Sequence, residues 1–141
     1  MNHLMVTFRM SKVHGFDQAL VDGEICDSEV VNMGPEKRFE EKIKKMLEEN
    51  GAWYVKFFAN RNTPSGIPDI LACVGGEFLG IEVKSADGHP SALQIHHVNQ
   101  IRKAGGCAFI VYPSGFDQLV TIVERLKRGK VISPLLPIEL K

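Results

Sequence analysis

The sequence predicts an α/β fold in which a mixed four-stranded sheet is flanked by helices, and three observations carry that expectation. Three β-prone runs follow one another, Trp53 to Ala59, Asp69 to Val74 and Glu77 to Lys84, and the last two are joined by Gly75-Gly76 alone. Segments with helical apolar spacing stand before and after them. A fourth apolar run, Cys107 to Tyr112, comes only after the second helical segment, so a crossover delivers it to the sheet. The order is helix, strand, strand, strand, helix, strand, helix.

The chain has 141 residues, enough for one domain with a proper core, and its formal net charge is zero. A neutral balance excludes a strongly basic coat for nucleic acid but not a local basic groove. Cys26, Cys73 and Cys107 form no Cys-x-x-Cys pair, so no zinc ribbon or disulfide framework is indicated, and Cys73 and Cys107 read as core thiols. The five histidines lack zinc-ligand spacing. No run is long enough to span a bilayer and no secretory signal is visible, so an intracellular, cytoplasmic protein without membrane contact is expected.

Residues 1–34 contain two basic side chains and five acidic ones, for a net −3, and show no sustained periodicity. They read as an extension outside the core fold, either a short hairpin or disordered, with the functional unit beginning near Met33 and the core fold spanning 35–130. Gly34-Pro35 opens the first helix, Gly51 closes it, and Phe39, Ile43, Met46 and Leu47 form its apolar stripe. Glu36 and Glu40 lie on the border of that stripe and can reach over the sheet. Each also has a structural explanation: Glu36 as a favourable charge near a helix N-terminus, Glu40 as an ion-pair partner of Lys44.

In the strand from Trp53 to Ala59, Tyr54, Lys56 and Phe58 share one face. The polar loop Asn60 to Gly66 follows. Lys56 and Arg61 are candidate phosphate contacts, although turn formation also explains the loop. With Gly75-Gly76 as the whole hairpin loop, Val74 faces Glu77, and the same register sets Asp69 opposite Glu82. Two carboxylates side by side among apolar residues are costly without a cation. Lys84 points to the Glu82 side, whereas Leu79, Ile81 and Val83 point to the other; Gly80 leaves space near the backbone. The plainer alternative is a surface hairpin with a solvated polar face.

Ser91 and Gln94 form a capping box at the start of the second helix, a complete structural role for Gln94, and Leu93, His97, Ile101 and Ala104 supply its packed stripe. Ser114 is expected to cap a final helix with the stripe Phe116, Leu119, Val120, Val123 and Leu126. The cations at its end, Arg125, Lys127, Arg128 and Lys130, complement the helix dipole or offer a DNA-binding patch. Pro134 and Pro137 mark an extended tail over 131–141.

Pro68-Asp69 followed by Glu82-Val83-Lys84 across a hairpin matches the PD-(D/E)xK pattern of restriction-endonuclease-like nucleases. With Phe39-Glu40 in the opening helix, Gly66-Ile67 before the aspartate and Gln94 in the next helix, the sequence resembles the virus-type replication-repair nuclease (VRR-NUC) domain in its compact phage-like form, over roughly Glu36 to Leu126. The resemblance implies a restriction-endonuclease-like fold and a Mg²⁺- or Mn²⁺-dependent endonuclease acting on DNA, with branched or four-way DNA as substrate and a homodimeric assembly. It implies that Glu40, Asp69, Glu82 and the Val83 carbonyl bind one or two metal ions, with Glu36 the alternative helix ligand. Lys84 would assist the reaction and Gln94 would accompany it; Lys56 matches a basic position of the phage-like members. A non-catalytic DNA-binding or assembly module with the same fold is the alternative, and cleavage that depends on metal separates the two.

Overall fold

The computed structural model describes residues 33–141. The expectations for 1–34, apart from its last two residues, lie outside the described part. Helix α1 runs over Pro35–Glu49, with Pro35 in the first turn, where its missing N–H leaves no bond unmade. Its Phe39, Ile43, Met46 and Leu47 are all buried. Strand β1 covers Trp53–Lys56, β2 Ile70–Val74 and β3 Glu77–Val83. Helix α2 spans Ala92–Lys103, β4 Cys107–Val111 and α3 Phe116–Lys127, preceded by a 3₁₀ turn at Pro113–Gly115.

The sheet order is β1-β2-β3-β4-β5, with the fifth strand, Glu139–Leu140, pairing parallel to β4. Strands β1, β2 and β3 form the expected antiparallel meander, and β4 joins β3 in parallel after the α2 crossover. The sheet thus has one strand more than the four expected, because the proline-containing tail returns to the sheet. Tyr112 and Ile110 donate their N–H groups to Leu140 and Ile138 carbonyls, and Leu140 is buried against the core.

The hairpin has the register expected of a two-residue loop, from Val74 opposite Glu77 to Ile70 opposite Ile81. Gly75 and Gly76 both have positive φ, 59° and 89°, the backbone that a tight hairpin turn of this hand requires. Ile70, Ala72 and Val74 face the core beneath α1 and α3 with Leu79, Ile81 and Val83. The opposite face packs Ala108, Ile110 and Tyr112 against Val98, Ile95 and Ile101 of α2.

Several local expectations give way to tertiary packing. Strand β1 ends at Lys56 rather than Ala59, because after Phe57 donates to the Asp69 carbonyl the chain enters a turn in which Asn60 Oδ1 accepts from Asn62 N–H. Cys73 is exposed, since the period of two that buries Ala72 and Val74 turns it to the other face, beyond the cover of α2. The α2 stripe is Ile95, Val98 and Ile101 rather than one containing Leu93, which is exposed. Ser114 makes no cap bond; it sits inside the 3₁₀ turn, and Gly115 precedes α3. Space at Gly80 is taken by Ile101 and Pro68, so that glycine admits α2 rather than a ligand. No helix among the described residues is long and apolar enough to cross a membrane.

At the rear of α2, Arg102 Nη2 donates to the carbonyls of Pro134 at 2.9 Å and Leu136 at 2.5 Å, fastening the tail that leads into β5. The guanidinium also lies 5.4 Å from the Phe109 ring centroid.

Candidate active site

Glu40 follows the buried Phe39 on α1, so its side chain leaves the rim of the apolar stripe and meets β1. Lys56 Nζ lies 2.7 Å from Glu40 Oε2 and 3.2 Å from Asp69 Oδ1, bridging the helix and the entrance to β2. Lys44 stands 3.8 Å from the other Glu40 oxygen and 2.5 Å from Glu41. Glu36, one turn earlier, accepts the Ser85 N–H at 3.2 Å, at the exit of β3. Both glutamates on the border of the stripe therefore reach the same end of the sheet.

Asp69 stands one residue before β2 and is not part of its ladder. Its Oδ2 accepts the backbone N–H of Val83 at 2.9 Å while Oδ1 faces Lys56. Glu82 leaves β3 on the face opposite Leu79, Ile81 and Val83, as the alternation along the strand predicts. Lys56 belongs with Ile70 and the α1 side, Glu82 with Ile110 and the α2 side, and Asp69 lies between them at the strand end.

Glu82 is 1% exposed and is the one buried charged side chain among the described residues. Lys84 Nζ approaches its Oε1 at 2.8 Å, and Gln94 Nε2 donates to the same oxygen. Gln94 is itself anchored: its Oε1 accepts the Ser91 N–H at 2.7 Å and its own N–H donates to Ser91 Oγ, so the capping box and the contact with Glu82 coexist. Burial pushes the Glu82 carboxyl up to about 7; the Lys84 ammonium opposes that rise and the Asp69 charge adds to it. Lys56 is raised from its ordinary value because Glu40 and Asp69 together outweigh its partial burial, which alone would lower it.

Oxygen donors of this kind suit a hard divalent cation, and the cluster already draws positive charge to each carboxylate. The donor chemistry therefore fits such an ion. Among the described residues no three acidic, histidine or cysteine side chains converge as a ready ion cage. Lys56 occupies the space between Glu40 and Asp69, while Glu82 is turned to Lys84 and Gln94. Arg61 is exposed in the loop after β1 and has no bond to this cluster.

Residues 34–131 match the family of archaeal Holliday junction resolvases (Hjc). The chain belongs to this family. It is a family of nucleases that act on DNA, and the mixed sheet flanked by helices is a restriction-endonuclease-like fold. The resolvase-family chain is also similar to a solved VRR_NUC domain, at 26% identity and a TM-score of 0.55, covering 65% of this chain and 97% of that one. No curated protein matches it.

Three features of this resolvase-family cluster are absent from a reading of the sequence. The Val83 N–H as a partner of Asp69 depends on where a backbone amide ends up, which no side-chain pattern records. The Lys56 bridge depends on how α1 lies across β1. The Ser85 N–H bonded to Glu36 joins residues 49 positions apart. The face shared by Tyr54 and Lys56 was the available signal, and Tyr54 does bond Glu48 of α1, at 2.5 Å.

Proposed function

We propose that this chain is a Mg²⁺- or Mn²⁺-dependent endonuclease that hydrolyses phosphodiester bonds of branched DNA, four-way junctions included, and that it works as a homodimer. The burial of Glu82 carries the reading: a carboxylate 1% exposed, at the strand end where Glu40, Asp69, Lys84 and Gln94 also terminate, has a steep desolvation cost that a purely structural hairpin would not retain. Glu40, Asp69, Glu82 and the Val83 carbonyl would hold the ion, with Glu36 the second glutamate at the same end. Bound there, a divalent ion supplies a Lewis acid for the phosphate and acidifies water.

The protein's own groups do the rest. Lys84 holds a positive charge 2.8 Å from Glu82, where it can offset negative charge growing on a phosphate or orient the attacking water. Gln94, fixed on Ser91, sets the orientation of the Glu82 carboxylate. Lys56 and Arg61 supply contacts to backbone phosphates, which position DNA without reading its sequence. The family's name supports the branched substrate, and a two-fold dimer would present two such sites to two strands.

Incubation with linear, flapped and four-way DNA in Mg²⁺, Mn²⁺ or chelator tests the reading. Four-way DNA should be cut only with metal, and Asp69→Ala or Glu82→Ala should slow cutting by about 10²-fold or more. Undiminished cutting by either variant overturns the assignment. Sedimentation velocity should give a dimer; a monomer that cuts both strands of a junction rejects the homodimer.

A further inference from the structure

Among the described residues, Lys56 is the nearest partner of one oxygen on each of two carboxylates. Asp69 commits Oδ2 to the Val83 N–H at 2.9 Å, leaving Oδ1 to Lys56 at 3.2 Å; Glu40 keeps Oε1 3.8 Å from Lys44 and gives Oε2 to Lys56 at 2.7 Å. An ammonium group thus spans the gap between acids that come from α1 and from the entrance to β2. A divalent ion bound by oxygens at about 2.0–2.1 Å cannot share that gap with it. The side chain also has a second seat. Phe58, two residues on and 75% exposed, has its ring centroid 6.0 Å from Nζ, the outer limit of a cation–π contact.

We infer that Lys56 is a resident counter-ion of the candidate metal centre, holding Glu40 and Asp69 together until a divalent cation displaces its ammonium towards Phe58 and the solvent. The inference rests on the metal-dependent reading of the site. Without Lys56, the two carboxylates would repel each other in a partly buried position. With it in place, Glu40, Asp69 and Lys56 carry a net −1; a divalent ion raises the local sum by two and frees a mobile ammonium. Metal loading therefore lowers the negative charge that this patch presents to phosphate and at the same moment releases an ammonium towards it, so the site favours DNA more once it is competent to act on it.

The test reads metal binding and the lysine itself, without DNA. In calorimetric titrations with Mn²⁺, Lys56→Gln should bind about tenfold more tightly than the wild-type protein, whereas Lys127→Gln, which removes an equal charge from the exposed end of α3 beside the Gly75 turn, away from the cluster, should change affinity by less than about threefold. In ¹H–¹⁵N spectra of lysine ammonium groups, the Lys56 signal, assigned by its loss in Lys56→Arg, should be protected from exchange in chelator and lose that protection when Mg²⁺ is added. Equal tightening in the two glutamine variants, or a Lys56 signal that remains protected in saturating Mg²⁺, overturns the inference while leaving a metal site in place. Failure of the wild-type protein and both variants to bind Mn²⁺ overturns the metal-dependent reading beneath it.

Discussion

Burial of Glu82 makes the stability of this chain depend on pH in a direction opposite to that of an ordinary ion-paired acid. Burial pushes its carboxyl up to about 7 from the ordinary 4.5, so the folded state takes up the proton more readily than the unfolded chain. The stabilisation is fully present below the unfolded value and is lost as pH rises through about 7. In chelator, urea denaturation should show the wild-type protein losing on the order of 3 kcal/mol between pH 4.5 and 8, and Glu82→Gln should remove most of that slope. At this scale the sequence was informative where chemistry is local: Ser91 and Gln94 declare a capping box by spacing alone. It was silent on the second bond of Gln94, to Glu82, because that contact needs α2 docked on the sheet. Asp69 shows the same limit, since its two oxygens are assigned by the Val83 amide and by Lys56, neither adjacent in sequence.

Among the elements, the β2-β3 hairpin was the most legible because a Gly-Gly loop fixes both register and turn geometry. The two glycines are not equivalent in their surroundings. A Cβ at Gly75 would fall 2.2 Å from the Leu126 carbonyl oxygen, whereas one at Gly76 meets nothing within 4 Å. Gly76→Ala should cost about 1–2 kcal/mol for its left-handed backbone. Gly75→Ala should cost roughly 1–3 kcal/mol more, as α3 is forced away, and chemical denaturation would resolve the difference. Helix α1 was equally readable, its stripe being unbroken and buried as spaced. Helix α2 was harder: its polar N-terminal turn serves Glu82 and its apolar contacts start only at Ile95, so Leu93 looked like core and is exposed. Strand β5 has only two residues after two prolines, and nothing local distinguishes it from a tail.

Across the whole described molecule, the candidate site lies at an end of the sheet and gathers side chains from both of its faces. Layer architecture could be inferred from the alternation of helices and strands, but this convergence could not, because it depends on the twist and stagger of strand ends. The family match covers 34–131, whereas β5 begins at Glu139, so the last strand lies beyond the matched segment. Leu140 is 1% exposed, and Leu140→Ala should cost about 2–5 kcal/mol in thermal or urea unfolding. The same substitution leaves every side chain of the candidate site in place, so turnover per folded molecule should change little.

Arg102 gives the tail a mechanical connection to that site. Helix α2 is about 18 Å long at 1.5 Å per residue, with Gln94 near its front and the guanidinium clasp at its back. The same helix thus carries, at opposite ends, the guanidinium that clasps the C-terminal strap and the amide that meets the buried acid.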